Sequence, residues 1–265
     1  MSDSLMPSKN TVKFIKSLQL KKFRKQENSF FVEGNKNVTE LLESDFIVTH
    51  LLYTSKFESL HTDLVGSFLG EKYAVSPQIL ATIGSFVSND SALAVARMKD
   101  NKPILIAPGE LVLALDDIND PGNLGTILRI GDWYGIKKMI FSLQTADFYN
   151  PKVLHASMGS FTRVGFVYTD LPLFIKEANV PVYGAFLQGE NIHKAVLKQE
   201  GIILMGNESS GISKELESLV SHKLTIPSFG FAESLNVGVA TAVICDNFRR
   251  NIAINQAFSL EKNNL

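Results

Sequence analysis

The stretch Leu111–Arg129, LVLALDDINDPGNLGTILR, decides how this chain is read. Its first five residues are an unbroken apolar run, the pattern of a strand covered on both faces. The run ends in Asp116 and Asp117, passes a turn holding Pro121, Gly122 and Gly125, and enters a helix around TILRIGDWYG. A strand buried on both sides that feeds a helix belongs to a parallel sheet, and such sheets place ligands at the carboxyl ends of their strands.

Toward the C-terminus the pattern repeats. KKMIFSL, RVGFVYT, PVYGAFL, GIILMGN and KLTIPS read as strands; NPKVLHASMG, LPLFIKEAN, SKELESLV and SLNVGVATAVICDNFRRNIAINQ read as helices. This alternation predicts an α/β fold with a mostly parallel sheet covered on both sides. Toward the N-terminus a basic helical stretch, TVKFIKSLQLKKFRKQ, precedes a smaller α/β set. That set has strands at SFFVEG, THLLYT and ALAVARM, and helices at NKNVTELLES, ESLHTDLVGSFLG and SPQILATIG. KDNKPILIAPGE, with a charge pair and two prolines, reads as a linker. The expected domains are 1–106 and 107–265.

Composition narrows the function classes. At 265 residues with 45% hydrophobic and 20% charged residues, the chain can bury a core and is not disordered. Its one cysteine, Cys245, excludes an internal disulfide and any multi-cysteine metal site. The five histidines (His50, His61, His155, His193, His222) lack ligand spacing, so no metal is expected. No apolar run reaches membrane-span length and MSDSLMPSKN has no apolar signal core, so a cytoplasmic protein without membrane contact is expected. The net charge of −1 hides an asymmetry: residues 1–36 hold eight Lys/Arg against three acidic residues, whereas residues 107–265 hold thirteen against sixteen. A basic front end fits a polyanion-binding appendage; it also fits a solvated lysine-rich helix face.

Three loops carry the candidate chemistry. In the first, Asn123 stands where it can cap the helix, and Arg129 follows among Ile127, Leu128, Ile130 and Trp133, where an arginine needs partners. In the second, IILMGNESSGIS, Gly206 and Gly211 bracket Asn207, Glu208, Ser209 and Ser210, and Ser213 is placed to cap the next helix. It lacks the Gly-Lys-Ser/Thr ending of a phosphate loop and the Gly-x-Ser-x-Gly of a hydrolase elbow. In the third, LTIPSFGFAESLNVGVATAVI, a strand ends at Pro227 and a polar loop leads through Ser234, Leu235 and Asn236 into a helix that is apolar nearly all round. Such a helix packs on the sheet with one face and on a second chain with the other, or it is the core helix of a monomer.

Together, DPGNLGTILR, GNESSGI and IPSFGFAESLNVGVA resemble the three signature motifs of the SpoU/TrmH branch of the SPOUT RNA methyltransferases, in order and spacing, over about residues 107 to 258. The N-terminal part resembles more loosely the small ribosomal-protein-like substrate-binding domain of many members. The resemblance implies a C-terminal trefoil knot, an S-adenosylmethionine site and an obligate homodimer. It implies cofactor contacts at Ala185, Met205, Gly206, Ile226 and Leu235, and a polar catalytic cluster of Asn123, Arg129, Glu208, Ser234 and Asn236. In it Arg129 is the candidate activator of the hydroxyl; because a guanidinium is a poor base, the expected role is to stabilise developing alkoxide charge and hold the neighbouring phosphate, with Glu208 fixing the arginine fork. Ser234 orients a group or caps the last helix. Gly122, the Ile130-Gly131 pair and Ser209-Ser210 depart from the family's usual residues and leave substrate preference open. The implied reaction is methylation of a ribose 2′-hydroxyl of structured RNA. Ribosomal RNA is favoured, with Lys21, Lys22, Arg24 and Lys25 as RNA contacts; a transfer RNA enzyme or a catalytically silent RNA-binding member are the alternatives. A dinucleotide-binding Rossmann domain is disfavoured by the missing Gly-x-Gly-x-x-Gly.

Overall fold

The computed structural model describes residues 6–262, and from residue 251 onward the backbone alone. The elements run α1 (Lys9–Ser17), α2 (Lys21–Glu27), β1 (Ser29–Glu33), α3 (Asn35–Leu42), β2 (Val48–Tyr53), α4 (Ser55–Leu60), α5 (Thr62–Ser67), β3 (Glu71–Ala74), α6 (Pro77–Ile83) and β4 (Ala92–Arg97). After these come β5 (Leu111–Leu115), α7 (Pro121–Trp133), β6 (Lys138–Ser142), α8 (Pro151–Ser157), β7 (Gly165–Thr169), α9 (Leu171–Ala178) and β8 (Val182–Asn191). The chain continues through β9 (Gly201–Met205), α10 (Lys214–Glu217), β10 (His222–Thr225) and α11 (Val237–Lys262).

Two compact units divide the chain. One holds residues up to Asp100 together with Asp147–Thr162; the other holds Asn101–Ala146 and the residues from Arg163 on. The packing thus differs from a single cut near residue 106, because α8 and its flanks return to the first unit. Their reason for doing so is a buried anchor. Arg24, 2% exposed, donates from Nη2 to Asp147 Oδ2 at 2.5 Å. Tyr149 lies 4.6 Å from Phe30 between ring centroids, and its phenol oxygen accepts from the Lys99 backbone N–H.

The first unit is built on a mixed sheet of order β1-β4-β2-β3, with β4 antiparallel to β1 and β2, and β3 parallel to β2. The basic stretch is two helices rather than one. Arg24 Nη1 donates to the carbonyls of Leu18 and Gln19, both at 2.8 Å, so the groups left open at the end of α1 are capped by a side chain from α2. Arg24 is therefore not an RNA contact, which corrects the sequence reading, whereas Lys21, Lys22 and Lys25 are exposed. β3 is a short edge strand with neither alternation nor an apolar run to announce it.

The second unit carries a six-stranded sheet of order β10-β8-β9-β5-β6-β7, parallel at every pairing. β5 and β9 are buried along their whole length, as the apolar run at 111–115 requires. β9 and β10 lie on either side of β8, so the passage through α10 crosses β8. In α11, Thr241, Ile244, Cys245 and Phe248 are buried while Val239 is half exposed, so part of one face is open.

Candidate active site

The three loops leave the carboxyl ends of parallel strands of one sheet. Asp116 follows β5, Gly206 follows β9, and Ile226 follows β10; Ala185 begins a bulge of β8, whose pairing with β10 jumps from Gly184 to Glu190. The sheet therefore delivers these segments to one edge, the usual ligand edge of a parallel α/β sheet.

Hydrogen bonds tie the loops to one another. Asp116, nearly buried, accepts from the Ser213 backbone N–H at 2.8 Å. Asp117 is in the left-handed region at φ 58°, and its carbonyl accepts from Asn207 Nδ2 at 2.7 Å. Asn207 Oδ1 in turn accepts from the backbone of Ser209 (2.9 Å) and Ser210 (3.1 Å), while Asn207 and Gly211 exchange backbone bonds at 3.0 Å. A Cβ on Gly206 would lie 2.3 Å from the Gly211 carbonyl carbon, so only glycine closes this turn. Asp117 and Asn207 are positioning residues that the sequence reading does not single out; the adjacent acids at 116–117 and the amide inside GNESSG are the available signals.

The polar cluster is a directed chain. Asn236 Oδ1 accepts from the backbone N–H of Gly238 (2.9 Å) and Val239 (3.4 Å), so Asn236 caps α11. Its oxygen being committed, Asn236 Nδ2 donates to Asn123 Oδ1 at 2.9 Å, and Asn123 Nδ2 donates to Glu208 Oε1 at 2.8 Å. The free N–H groups of one helix thus set both amide orientations and hold the Glu208 carboxylate beside Asn123. The arrangement can accept a hydrogen bond from a ligand on the remaining Glu208 oxygen.

Several expectations change here. The cap of α7 is Asp120, which accepts from Asn123 N at 2.9 Å; Asn123 is thereby freed to face Glu208. Ser213 stands at the start of α10 but makes no side-chain cap bond. Ser234 is exposed and does not cap α11. Arg129 is exposed and does not pair with Glu208 in this chain, whose partner is Asn123. The reason is helical geometry: six residues past Asn123, Arg129 is turned about 240° around α7 and raised about 9 Å along it. Among the described residues, no three His, Cys, Asp or Glu gather as metal ligands.

The predicted cofactor residues sit along the same edge. Met205 is buried at the end of β9, Gly206 and Ile226 are half-buried, Ala185 is half-buried in β8, and Leu235 is 49% exposed. From Ile226 to Leu235 no backbone N–H or carbonyl pairs with another backbone group among the described residues. The carbonyl of Gly230 accepts from Ser228 Oγ at 3.3 Å; the other backbone groups of this run are open to solvent or to a bound molecule.

Comparison with known proteins agrees with this geometry. The SpoU rRNA Methylase family model matches residues 110–246, and the MRM3-like substrate binding domain model matches residues 9–94. The chain is similar to the 23S rRNA (guanosine(2553)-2′-O)-methyltransferase RlmP of Bacillus subtilis (strain 168), 32% identical over 242 residues covering 90% of this chain and 95% of the relative. Among solved structures it is similar to the AdoMet-bound rRNA methyltransferase from Sinorhizobium meliloti, with a TM-score of 0.82, 28% identity, and coverage of 93% of this chain and 97% of the other. It is also similar to the SpoU methyltransferase AviRb from Streptomyces viridochromogenes in complex with AdoMet, with a TM-score of 0.79, 25% identity, and coverage of 91% and 97%. With its three loops assembled on one sheet edge and the family model spanning them, this chain belongs to the SpoU rRNA methylase family.

Proposed function

We propose that the protein transfers a methyl group from S-adenosylmethionine to a ribose 2′-hydroxyl of structured RNA, with ribosomal RNA as substrate. The observation that carries this is the Asn236–Asn123–Glu208 chain, which joins the third, first and second loops in one polar cluster. The residues present fit the cofactor: the backbone at Ile226, at Leu235 and at the half-buried Gly206 would hold adenine and ribose, with Met205 and Ala185 as apolar walls. When bound, the cofactor supplies an electrophilic sulfonium methyl.

The chain's own residues align the sugar. Asn123 and Asn236 orient polar groups, and Glu208 accepts a hydrogen bond on its free oxygen. Ser234, exposed beside Asn236, donates or accepts one more bond to the nucleotide. Arg129 stabilises alkoxide charge and holds the neighbouring phosphate. Because Arg129 is exposed and Glu208 of its own chain is bonded to Asn123, we assign Arg129 to the cluster of a second copy in a homodimer. Thr126, Arg129 and the 83% exposed Trp133 form a stripe on α7, and Val239 opens the adjoining face of α11, where Gly238 seats against Thr126. The fold places β9 and β10 on either side of β8, which suits the family's trefoil knot.

The first unit reads the RNA. Lys9, Lys13 and Lys16 recur at i, i+4 and i+7 along α1, and with Lys21, Lys22 and Lys25 they are exposed with no acidic residue in the first turn of either helix. With ribosomal RNA as its proposed substrate, we read the protein as cytoplasmic. Mapping 2′-O-methylated riboses in total RNA from strains with and without the gene tests the reading. Loss of a ribosomal RNA position is expected. Loss confined to transfer RNA refutes the substrate, and no loss anywhere supports a silent RNA-binding member.

A further inference from the structure

Phe229 and Phe231 are 96% and 107% exposed, two residues apart in the loop that runs from β10 to the catalytic Asn236. Neither ring packs on another aromatic ring among the described residues, and Gly230 between them has open space around it. Exposed phenylalanines on a segment without backbone pairing gain nothing for the fold of this chain. Their position gives them another use. Phe231 lies five residues before Asn236, so the loop that carries both rings ends at the cluster proposed to receive the ribose.

The charge pattern of the same segment selects among polyanion contacts. From Leu224 to Phe248 there is no Lys or Arg, while Glu233 and Asp246 are acidic. This loop therefore does not neutralise phosphates. Its two exposed rings can instead hold the face of a base, since bases splayed from a helix are held on aromatic side chains. A ribose presented to the Asn123–Glu208–Asn236 cluster needs its base, or a neighbour's base, held out of the stack.

We propose that Phe229 and Phe231 are a stacking platform for the nucleobase at, or next to, the methylated ribose. This rests on the RNA reading above. A second copy of the chain and the cofactor are the competing occupants of the rings. The test measures affinity for ribosomal RNA prepared from a strain lacking the gene, using Phe229→Ala, Phe231→Ala, Phe→Leu and Phe→Trp variants of the full chain. Filter binding gives affinity, calorimetry gives S-adenosylmethionine affinity, and analytical ultracentrifugation gives assembly state.

The alanine variants are expected to weaken RNA binding roughly five- to 150-fold, the range for removing one base stack. Tryptophan restores affinity and leucine does not, the salt dependence keeps its slope, and cofactor affinity and assembly state are unchanged. Rescue by leucine equal to that by tryptophan overturns the proposal, as does an unchanged RNA affinity. Loss of cofactor binding or of assembly in the alanine variants overturns it in favour of the competing occupants. Because binding is read without turnover, a wild-type protein that methylates no ribosomal RNA sinks the functional reading while the variants still decide the platform.

Discussion

Replacing Asp147 by Ala should destabilise the first unit by about 3 kcal/mol and leave RNA recognition intact. The magnitude follows from the surroundings of Arg24. Its guanidinium is 2% exposed and has three partners: the Leu18 and Gln19 carbonyls and Asp147, itself 15% exposed. Its Nε already lacks a partner. Removing one member of a buried pair costs about 3–5 kcal/mol because the other charge is left uncompensated. The two surviving carbonyl bonds and the partial exposure of Asp147 place this case at the lower end. Hydrogen exchange of the full chain is the assay, since it separates the units. A loss of 3 kcal/mol accelerates exchange by about 100-fold where exchange reports the unfolding equilibrium, at about 1.4 kcal/mol per factor of ten. The acceleration should appear in peptides spanning 9–33 and 147–162, with peptides from β5 and β9 unchanged. The double variant Arg24→Met/Asp147→Leu should lose much less than the sum of the single changes, because it leaves no charge stranded. An Asp147→Ala cost under about 1 kcal/mol would refute the burial argument. So would a drop in the salt slope of RNA binding for Arg24→Met, which would return Arg24 to the RNA surface.

Charge reversal at Lys21, Lys22 and Lys25 should weaken RNA binding and lower the log–log salt slope by about 2–3, near 0.7–0.9 for each phosphate that is no longer neutralised; an unaltered slope would make these lysines a solvated face. Arg129→Ala should abolish turnover while S-adenosylmethionine affinity, read by calorimetry, stays within a few-fold. Mixing Arg129→Ala protein with Glu208→Ala protein should recover part of the activity through mixed dimers that carry one intact site, whereas no recovery on mixing places the arginine in its own chain's site. Cys245 is buried and its thiol is pushed up to about 12 by burial, so the neutral thiol persists well past the value near 9 of an exposed cysteine. At pH 8 it should react with a thiol reagent only after denaturation, with one thiol released per chain; fast reaction of the folded protein would contradict the packing of α11.

The second unit was legible because its strands are covered on both faces. β5 and β9 announce themselves as LVLAL and GIILM, and the glycines and polar residues after them mark where the sheet ends. The first unit was less legible for the opposite reason. β3, EKYA, is an edge strand with exposed and half-exposed residues, so neither an apolar run nor alternation distinguishes it from a loop. The break between α1 and α2 carries no proline or glycine. It is held by Arg24 and by Asp147, 123 residues further along the chain, and no local pattern records that bond. The same distant pairing explains why the first unit reclaims 147–162 from the middle of the family-matched stretch.

Residue types at the site were readable, but their partners were not. Asn123, Glu208 and Asn236 stand out as polar residues at strand ends, yet which groups pair depends on where α11 begins. Ser234 and Asn236 are both good caps by type, and only the bonds from Gly238 and Val239 to Asn236 decide between them. Once Asn236 Oδ1 is taken, its amide nitrogen must face Asn123, and the amide of Asn123 must face Glu208. That order leaves Glu208 engaged without Arg129. The separation of Arg129 was available from the sequence: residues six apart on a helix do not share a face, whereas residues three, four or seven apart do. Counting in this way puts Arg129 with Thr126 and Trp133 on the exposed stripe of α7, away from Asn123. On the proposed reading, Arg129 acts on a cluster that a second chain brings to that stripe, since Glu208 of its own chain is bonded to Asn123. The mixing experiment therefore tests the proposed second chain and the proposed role of the arginine at once.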